Sequence, residues 1–352
     1  MSIDPRRHVR AAAVLVSAAV MAAAFGCGGA QPLQEGHGAV QPAGKVLTAA
    51  ERAAWYQACW AHFNSKDWDR FKACYAADAE SDHVDSGQPL AKGPDAIEAN
   101  ARSFAAAFPD IRGTGELILI KGESIVGVYV LNGTHSGALS GSDGHAIPPT
   151  GKSIGLHLAH VAQADSTGLR VVREERYSDS GTMMAQIGLS PAPARPVATS
   201  AAAAPTVVIA AGTPSELSNV EAARAQIAAY NSRDAKGVAE INAPDMVRRN
   251  MAAPADQTAE ESLAGMLTLF QAFPEAKLVP TSVWGAGSFV VVTGRFEGTN
   301  SGPLPAMGLK TASNRPVSVR YLDITRWENG TIKEEWLFYD GMAFAKQLGL
   351  GK

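Results

Sequence analysis

The sequence predicts an α+β protein of two tandem domains, each with N-terminal helices packed on a curved antiparallel sheet. Three observations predict it. The first is an internal repeat. Phe63-Asn64-Ser65-Lys66-Asp67 recurs as Tyr230-Asn231-Ser232-Arg233-Asp234, and Ala107-Phe108-Pro109-Asp110 as Ala272-Phe273-Pro274-Glu275. Gly133-Thr134-His135-Ser136-Gly137 recurs as Gly298-Thr299-Asn300-Ser301-Gly302, and Asp179 through Gln186 to Leu189 as Asp340 through Gln347 to Leu350. The order is kept, at offsets that drift only from 167 residues at the first anchor to 161 at the last. The second observation is that helical periodicity comes first in each copy and strand patterning afterwards. The third is the Pro/Ala-rich stretch between the copies, read as an extended, semi-rigid linker over 191–212. The domains are then 45–190 and 213–352, and such a linker does not oblige them to share a core.

Taken in order, Thr48 to Asn64 is helical, with Thr48 as N-cap and Glu51 three residues on to complete a capping box. A short helix follows over about 67–76, and a third over about 95–107 ends where Pro109 forbids continuation. Strands are expected over 115–121 and 124–133 around a Gly-containing turn, then over 152–164 and 169–179. In the second copy the last turn is Asn329-Gly330, a pair suited to positive φ in a hairpin.

Ahead of the repeat, residues 1–27 read as a lipoprotein signal peptide. Arg6, Arg7 and Arg10 form a basic head, and the uncharged run from Ala11 to Phe25 is too short to span a bilayer comfortably. Ala24-Phe25-Gly26-Cys27 resembles a bacterial lipobox, which implies lipidation of Cys27; an ordinary cleaved signal peptide is the alternative. Residues 28–44 follow as a flexible tether. Localisation is accordingly expected at the cell envelope, exported and membrane-anchored. In an exported chain the two remaining cysteines, Cys59 and Cys74, are a candidate disulfide, with two buried free thiols as the other reading. The formal net charge of −3, with no basic block beyond the leader, argues against a nucleic-acid partner.

The helical opening, Phe108-Pro109-Asp110, the Gly-Thr-His-Ser-Gly run, Pro148-Pro149-Thr150-Gly151-Lys152 and the closing Glu-Glu…Asp…Gln-Leu-Gly-Leu pattern together resemble the SnoaL-like polyketide cyclases of the nuclear-transport-factor-two-like superfamily. The resemblance covers each copy. It implies a cone with an internal cavity and, in the cyclases, an Asp acting as general acid/base with no metal or organic cofactor. The nearest matches to that Asp are Asp179 and Asp340. Because the fold hosts enzymes and binding modules alike, it does not fix the activity.

Strand alternation supplies the candidate site. In the last strand of the second copy Ile332, Glu334, Trp336, Phe338 and Asp340 share a face, and the aromatics suggest that this face looks into the cone. The aligned set in the first copy is Val171, Arg173, Glu175, Tyr177 and Asp179. Glu174 and Glu335 then face solvent. The preceding strands put Ile154, Leu156, Leu158 and His160 inward, against Val317, Val319, Tyr321 and Asp323. His157 falls on the opposite face from His160, so the two are a poor metal pair and no metal site is expected. His135 is read as a solvated loop residue. All eight histidines precede position 161, which points proton chemistry to the first copy: Asp179 as base, with His160 or His83 as helper. Glu175, Tyr177, Asp340, Trp336, Phe338, Tyr321 and Asp323 are the ligand-binding candidates. Asp179 and Asp340, each just before a short helix, also suit plain helix capping.

Two functions fit. One is an exported, lipid-anchored protein that binds a small apolar or polyketide-like ligand in the first cone. The alternative is a cofactor-independent acid/base enzyme, an ester cyclase, isomerase or hydratase, using Asp179 on a carbonyl compound. Pairing of the two domains within the chain is open to either.

Overall fold

Each copy winds as two helices, a strand, a third helix, a meander and a short closing helix, because capping signals and apolar periodicity come first and β-branched alternation later. The computed structural model describes residues 46–140, 146–193 and 195–350; the expected leader, Cys27 and the tether lie outside them. The first copy runs α1 (Ala49–Ser65), α2 (Trp68–Ala73), β1 (Tyr75–His83), β2 (Ala91–Lys92), α3 (Gly93–Ala107), β3 (Arg112–Lys121), β4 (Ser124–Thr134), β5 (Leu139–Ser140), β6 (Ala146–Ile147), β7 (Ser153–Ala164), β8 (Val171–Tyr177) and α4 (Ser180–Gln186). After β9 (Thr206–Ile209) the second runs α5 (Pro214–Asn231), α6 (Ala235–Ile241), β10 (Asn242–Asn250), β11 (Gln257–Thr258), α7 (Ala259–Ala272), β12 (Lys277–Ala286), β13 (Phe289–Thr299), β14 (Pro316–Glu328), β15 (Thr331–Phe338) and α8 (Gly341–Gln347).

The expected capping box at Thr48 and Glu51 is present, and Thr213 with Glu216 repeats it at α5. The second helix is shorter than expected. The chain leaves it at Cys74 and enters β1, which lies parallel to β8 and carries His83 into the sheet. The main sheets have strand orders β2-β1-β8-β7-β4-β3-β9 and β11-β10-β15-β14-β13-β12, which match strand for strand except at β9; the short β5-β6 ribbon belongs to the first copy alone among the described residues.

At that exception the linker segment 191–212 contributes a strand of its own. Residues 206–209 pair with Leu117–Ile120 of β3 and close the edge of the first sheet. Asn132 Nδ2 also donates to the Ala198 carbonyl, and Arg195 Nη1 to that of Asn250.

A core is shared as well. Leu119, Val126, Val128 and Tyr177 of the first copy form one buried cluster with Trp284, Val291, Leu322, Ile324 and Phe338 of the second. Both copies belong to one compact unit. Arg320 of β14 crosses to the end of β1 and the turn after it, donating to Asp82 at 2.6 Å and Asp85 at 3.1 Å. The outward faces of both sheets are therefore buried, which sets up the main departure from sequence expectation.

Candidate functional site

Period-two alternation fails near the start of the last strand of each copy. Gln163 pairs with Arg173 and Ala164 with Val171, so Val172 has no partner on β7. Arg326 pairs with Glu334 and Trp327 with Ile332, so Lys333 is likewise extra. Such a bulge reverses every later side chain. Val171 lines the first cavity as expected and Ile332 packs with Val292 and Tyr321 beside the second, but beyond the bulge Glu174, Arg176 and Ser178 line the first cavity, and Glu335, Leu337 and Tyr339 the second. The expectation that Glu174 and Glu335 face solvent is overturned: they are 2 % and 8 % exposed. Glu175, Tyr177, Trp336 and Phe338 face away from the cones. Tyr177 and Phe338 lie in the shared cluster with Trp336 packed on it, and Glu175 accepts the Tyr177 hydroxyl at 2.7 Å.

The first cone encloses about 290 Å³. Helix α1 supplies Tyr56, Trp60 and Phe63, α3 supplies Ile97 and Phe104, and β7 supplies Leu156, Leu158 and His160. Into this apolar wall Glu174 brings a carboxylate that is fully engaged. Its Oε2 accepts from the Tyr75 hydroxyl at 3.0 Å and lies 3.4 Å from His160 Nδ1; its Oε1 accepts from Ser81 at 2.9 Å and lies 3.5 Å from Arg176 Nε. Burial alone would push this carboxyl up. The charge of His160 and its hydrogen bond, followed by Arg176 and Ser81, reverse that and hold it at about 2. With Nδ1 directed at Glu174, the imidazole of His160 keeps Nε2 buried and without a hydrogen-bond partner, as is the Tyr56 hydroxyl. His83 also lines the cavity, with Nε2 2.8 Å from Ser178 Oγ. Burial, then the charges of Arg176 and His160, push its imidazole down to about 3, so it is neutral.

Asp179 sits at the edge of this cavity, but its oxygens are committed. Oδ2 accepts from the Thr182 amide at 2.6 Å, capping α4, and Oδ1 accepts from the Gly341 amide of the second copy at 2.9 Å. Asp340 mirrors it, accepting from the Ala343 amide at 2.9 Å and from the Ser180 hydroxyl across the boundary. Capping thus describes both residues, and each of their four oxygens already accepts a hydrogen bond. Asp340 does not line either cavity.

The second cone encloses about 260 Å³. Tyr321 and Asp323 line it as expected, joined by Arg248, whose Nε lies 3.0 Å from Glu335 Oε1. Burial and then the Glu335 charge push the Asp323 carboxyl well up.

Cys59 and Cys74 form a disulfide beside the first cavity. His135 is not solvated: it is buried against Phe108, with Nδ1 3.1 Å from Thr150 Oγ1. Glu174, Arg176, Ser81, Tyr56 and Arg248 were missed. The sequence did hold one signal for them: Glu174 aligns with Glu335 through the same offset that relates Asp179 to Asp340, so a charged residue recurs at one point of the strand in both copies.

The SnoaL-like polyketide cyclase family model matches residues 50–187 and again 220–348. Among solved structures, the chain is similar to a putative SnoaL-like polyketide cyclase from Jannaschia Sp. CCS1, with 22 % identity over 40 % of this chain and 97 % of that one, at a TM-score of 0.36. It is similar to IdmH, a putative polyketide cyclase from Streptomyces antibioticus, with 23 % identity over 38 % and 99 % of the two chains, at a TM-score of 0.33. AclR, a putative hydroxylase from Streptomyces galilaeus, matches with 19 % identity over 38 % and 97 %, at a TM-score of 0.35. No curated protein matches. The chain belongs to the SnoaL-like polyketide cyclase family, whose domain it carries twice.

Proposed function

We propose that this chain is an exported protein, anchored at the cell envelope through Cys27, whose first cone binds a small apolar molecule by a single polar group. One observation carries the binding part: beside an aromatic and aliphatic wall, Glu174 fixes the His160 ring and leaves Nε2 buried and unpaired. A buried polar atom without a partner costs about 1–3 kcal/mol. A ligand hydroxyl or carbonyl placed between Nε2 and the Tyr56 hydroxyl recovers that cost, while the aromatic wall takes up the carbon skeleton. Export is supported by the basic and apolar leader and by the Cys59–Cys74 bridge, since disulfides persist in oxidising compartments. The two copies act as an internal pair, with the shared cluster in the place of a subunit interface. Native mass spectrometry of the full exported chain tests this reading. A retained small molecule supports it, and a chain that is empty after gentle desolvation counts against it.

The same dyad favours a second reading, acid/base catalysis without a cofactor. His160 Nε2 takes a proton from the carbon next to a ligand carbonyl, the carboxylate of Glu174 steadies the imidazolium, the resulting enolate attacks a second carbonyl, and the alkoxide so formed takes the proton back from the imidazolium. In that reading His160, not Asp179, is the base. His160→Gln then abolishes turnover, whereas Asp179→Asn lowers stability and leaves turnover in place.

A further inference from the structure

The turn that follows β1 is built by the first copy and held by the second. His83, Ser86 and Gln88 all line the first cavity, and Gln88 is exposed, so this turn forms part of the rim where the cavity meets solvent. Its own fastenings are local: the Val84 and Ser86 amides donate to the Arg176 and His83 carbonyls. Between them Asp85 sits at a φ of 56°, in the left-handed region that a residue with a Cβ enters at a cost. The remaining hold comes from across the copy boundary. Asp85 Oδ2 accepts from the Arg320 backbone amide at 2.8 Å and its Oδ1 from Arg320 Nε at 3.1 Å, while Arg320 Nη1 donates to Asp82 at 2.6 Å. Such a charged fork fixes direction as well as distance. Met342 of α8, also from the second copy, is half-exposed and lines the same cavity.

The repeat does not return the contact. Arg249 and Ala252 stand where the first copy has Asp82 and Asp85, and His157 stands where the second has Arg320. The matching turn of the second copy is held instead by Arg195 of the connecting segment, whose Nη1 donates to the Asn250 and Ala253 carbonyls at 3.0 and 3.2 Å. We propose that Arg320 is a positioning residue through which the second copy sets entry to the first cone. With the clamp in place the His83–Gln88 rim is fixed; released, the rim opens and the cavity exchanges with solvent faster. The second copy then acts on the first cone without touching Glu174 or His160. This inference rests on the binding reading, because it concerns entry to that site, but its test needs no ligand.

Hydrogen–deuterium exchange of the full chain, read by mass spectrometry, compares wild type, Arg320→Ala and Arg195→Ala. Removing the cation from a partly buried ion pair is expected to speed exchange of the 83–88 amides in Arg320→Ala by about tenfold or more, with the 250–256 turn unchanged. Arg195→Ala is expected to show the reverse. A second readout separates local opening from general loss of stability. Cys59 and Cys74 line the first cavity and not the second, so reduction of their bridge by dithiothreitol reports on that cavity. In Arg320→Ala reduction should be faster than in wild type and flat at low urea, because a local opening exposes little surface; reduction through global unfolding climbs with urea. Unchanged 83–88 exchange in a folded Arg320→Ala, equal acceleration there in Arg195→Ala, or reduction that climbs with urea from the outset overturns the proposal. If Arg320→Ala does not fold, Asp85→Asn decides, since Asn tolerates the left-handed backbone and removes only the charge. Faster 83–88 exchange in it supports the clamp and unchanged exchange overturns it. A first cone found empty by native mass spectrometry defeats the binding reading and leaves these rates to be judged on their own.

Discussion

At the residue scale, Glu174 shows how a buried charge is kept. Water is replaced by two hydroxyl donors, one imidazole and one guanidinium, and only their sum outweighs desolvation. Its carboxyl is held at about 2, below the ordinary 4.5, so the stability it contributes is present above pH 4.5 and is lost as pH falls towards 2. Glu174→Gln should cost about 3 kcal/mol at neutral pH. It should also flatten the acid limb of the stability curve, as read by denaturant melts across pH 2–7. Asp340 runs the other way. Burial pushes it from 3.8 to about 6, so its contribution is full below pH 3.8 and falls away as pH rises through 6. Asp340→Asn should therefore remove a decline in melting temperature between pH 4 and 6 that the wild type shows. A wild type with no such decline would contradict the assignment.

At the element scale, β8 and β15 explain both what the sequence disclosed and what it concealed. The capped helices, the β7 and β14 faces, the hairpins and the cysteine pairing were legible because each is written in local pattern or spacing. The inward face of the last strand was not. Val171 and Ile332 mark it correctly, but an extra residue after each reverses the alternation, and nothing about Val172 or Lys333 announces a bulge. The aromatics then misled. Tyr177, Trp336 and Phe338 are apolar because the outer face is itself covered, so both faces of the strand offered reasons to be called inner. The disulfide belongs to this scale too. It joins α1 to the end of α2 across a sequence separation of 15. Closing a loop of that size is worth about 3 kcal/mol, and reduction should lower the denaturation midpoint accordingly, with Cys59→Ala/Cys74→Ala as the control.

At the scale of the whole molecule, the duplication has gained contacts that no single copy could make. Tyr177 and Phe338 are both buried only because the other sheet covers them, and the β9 strand stitches the connecting segment onto the first sheet. Asp179 and Asp340 each cap their own helix and reach into the start of the other's, a reciprocal contact that a linear reading could register only as a repeated Asp. Calorimetry of the full chain should therefore show one cooperative unfolding transition, and two separate transitions would contradict the shared core. Arg320→Ala, which leaves Asp82 and Asp85 without their cation, should lower stability by about 3 kcal/mol while keeping the transition single.

The same scale decides between the two candidate polar centres of the first cone, one holding the structure together and one open to a ligand. The most direct measurement is native mass spectrometry of the full chain as wild type, His160→Leu and Asp179→Asn, scored by the fraction carrying a bound small molecule. The geometry predicts that wild type and Asp179→Asn carry the same added mass, with Asp179→Asn melting lower, and that His160→Leu is empty. Retention in His160→Leu, or loss from a folded Asp179→Asn, would contradict the assignment of the site to His160 and Glu174.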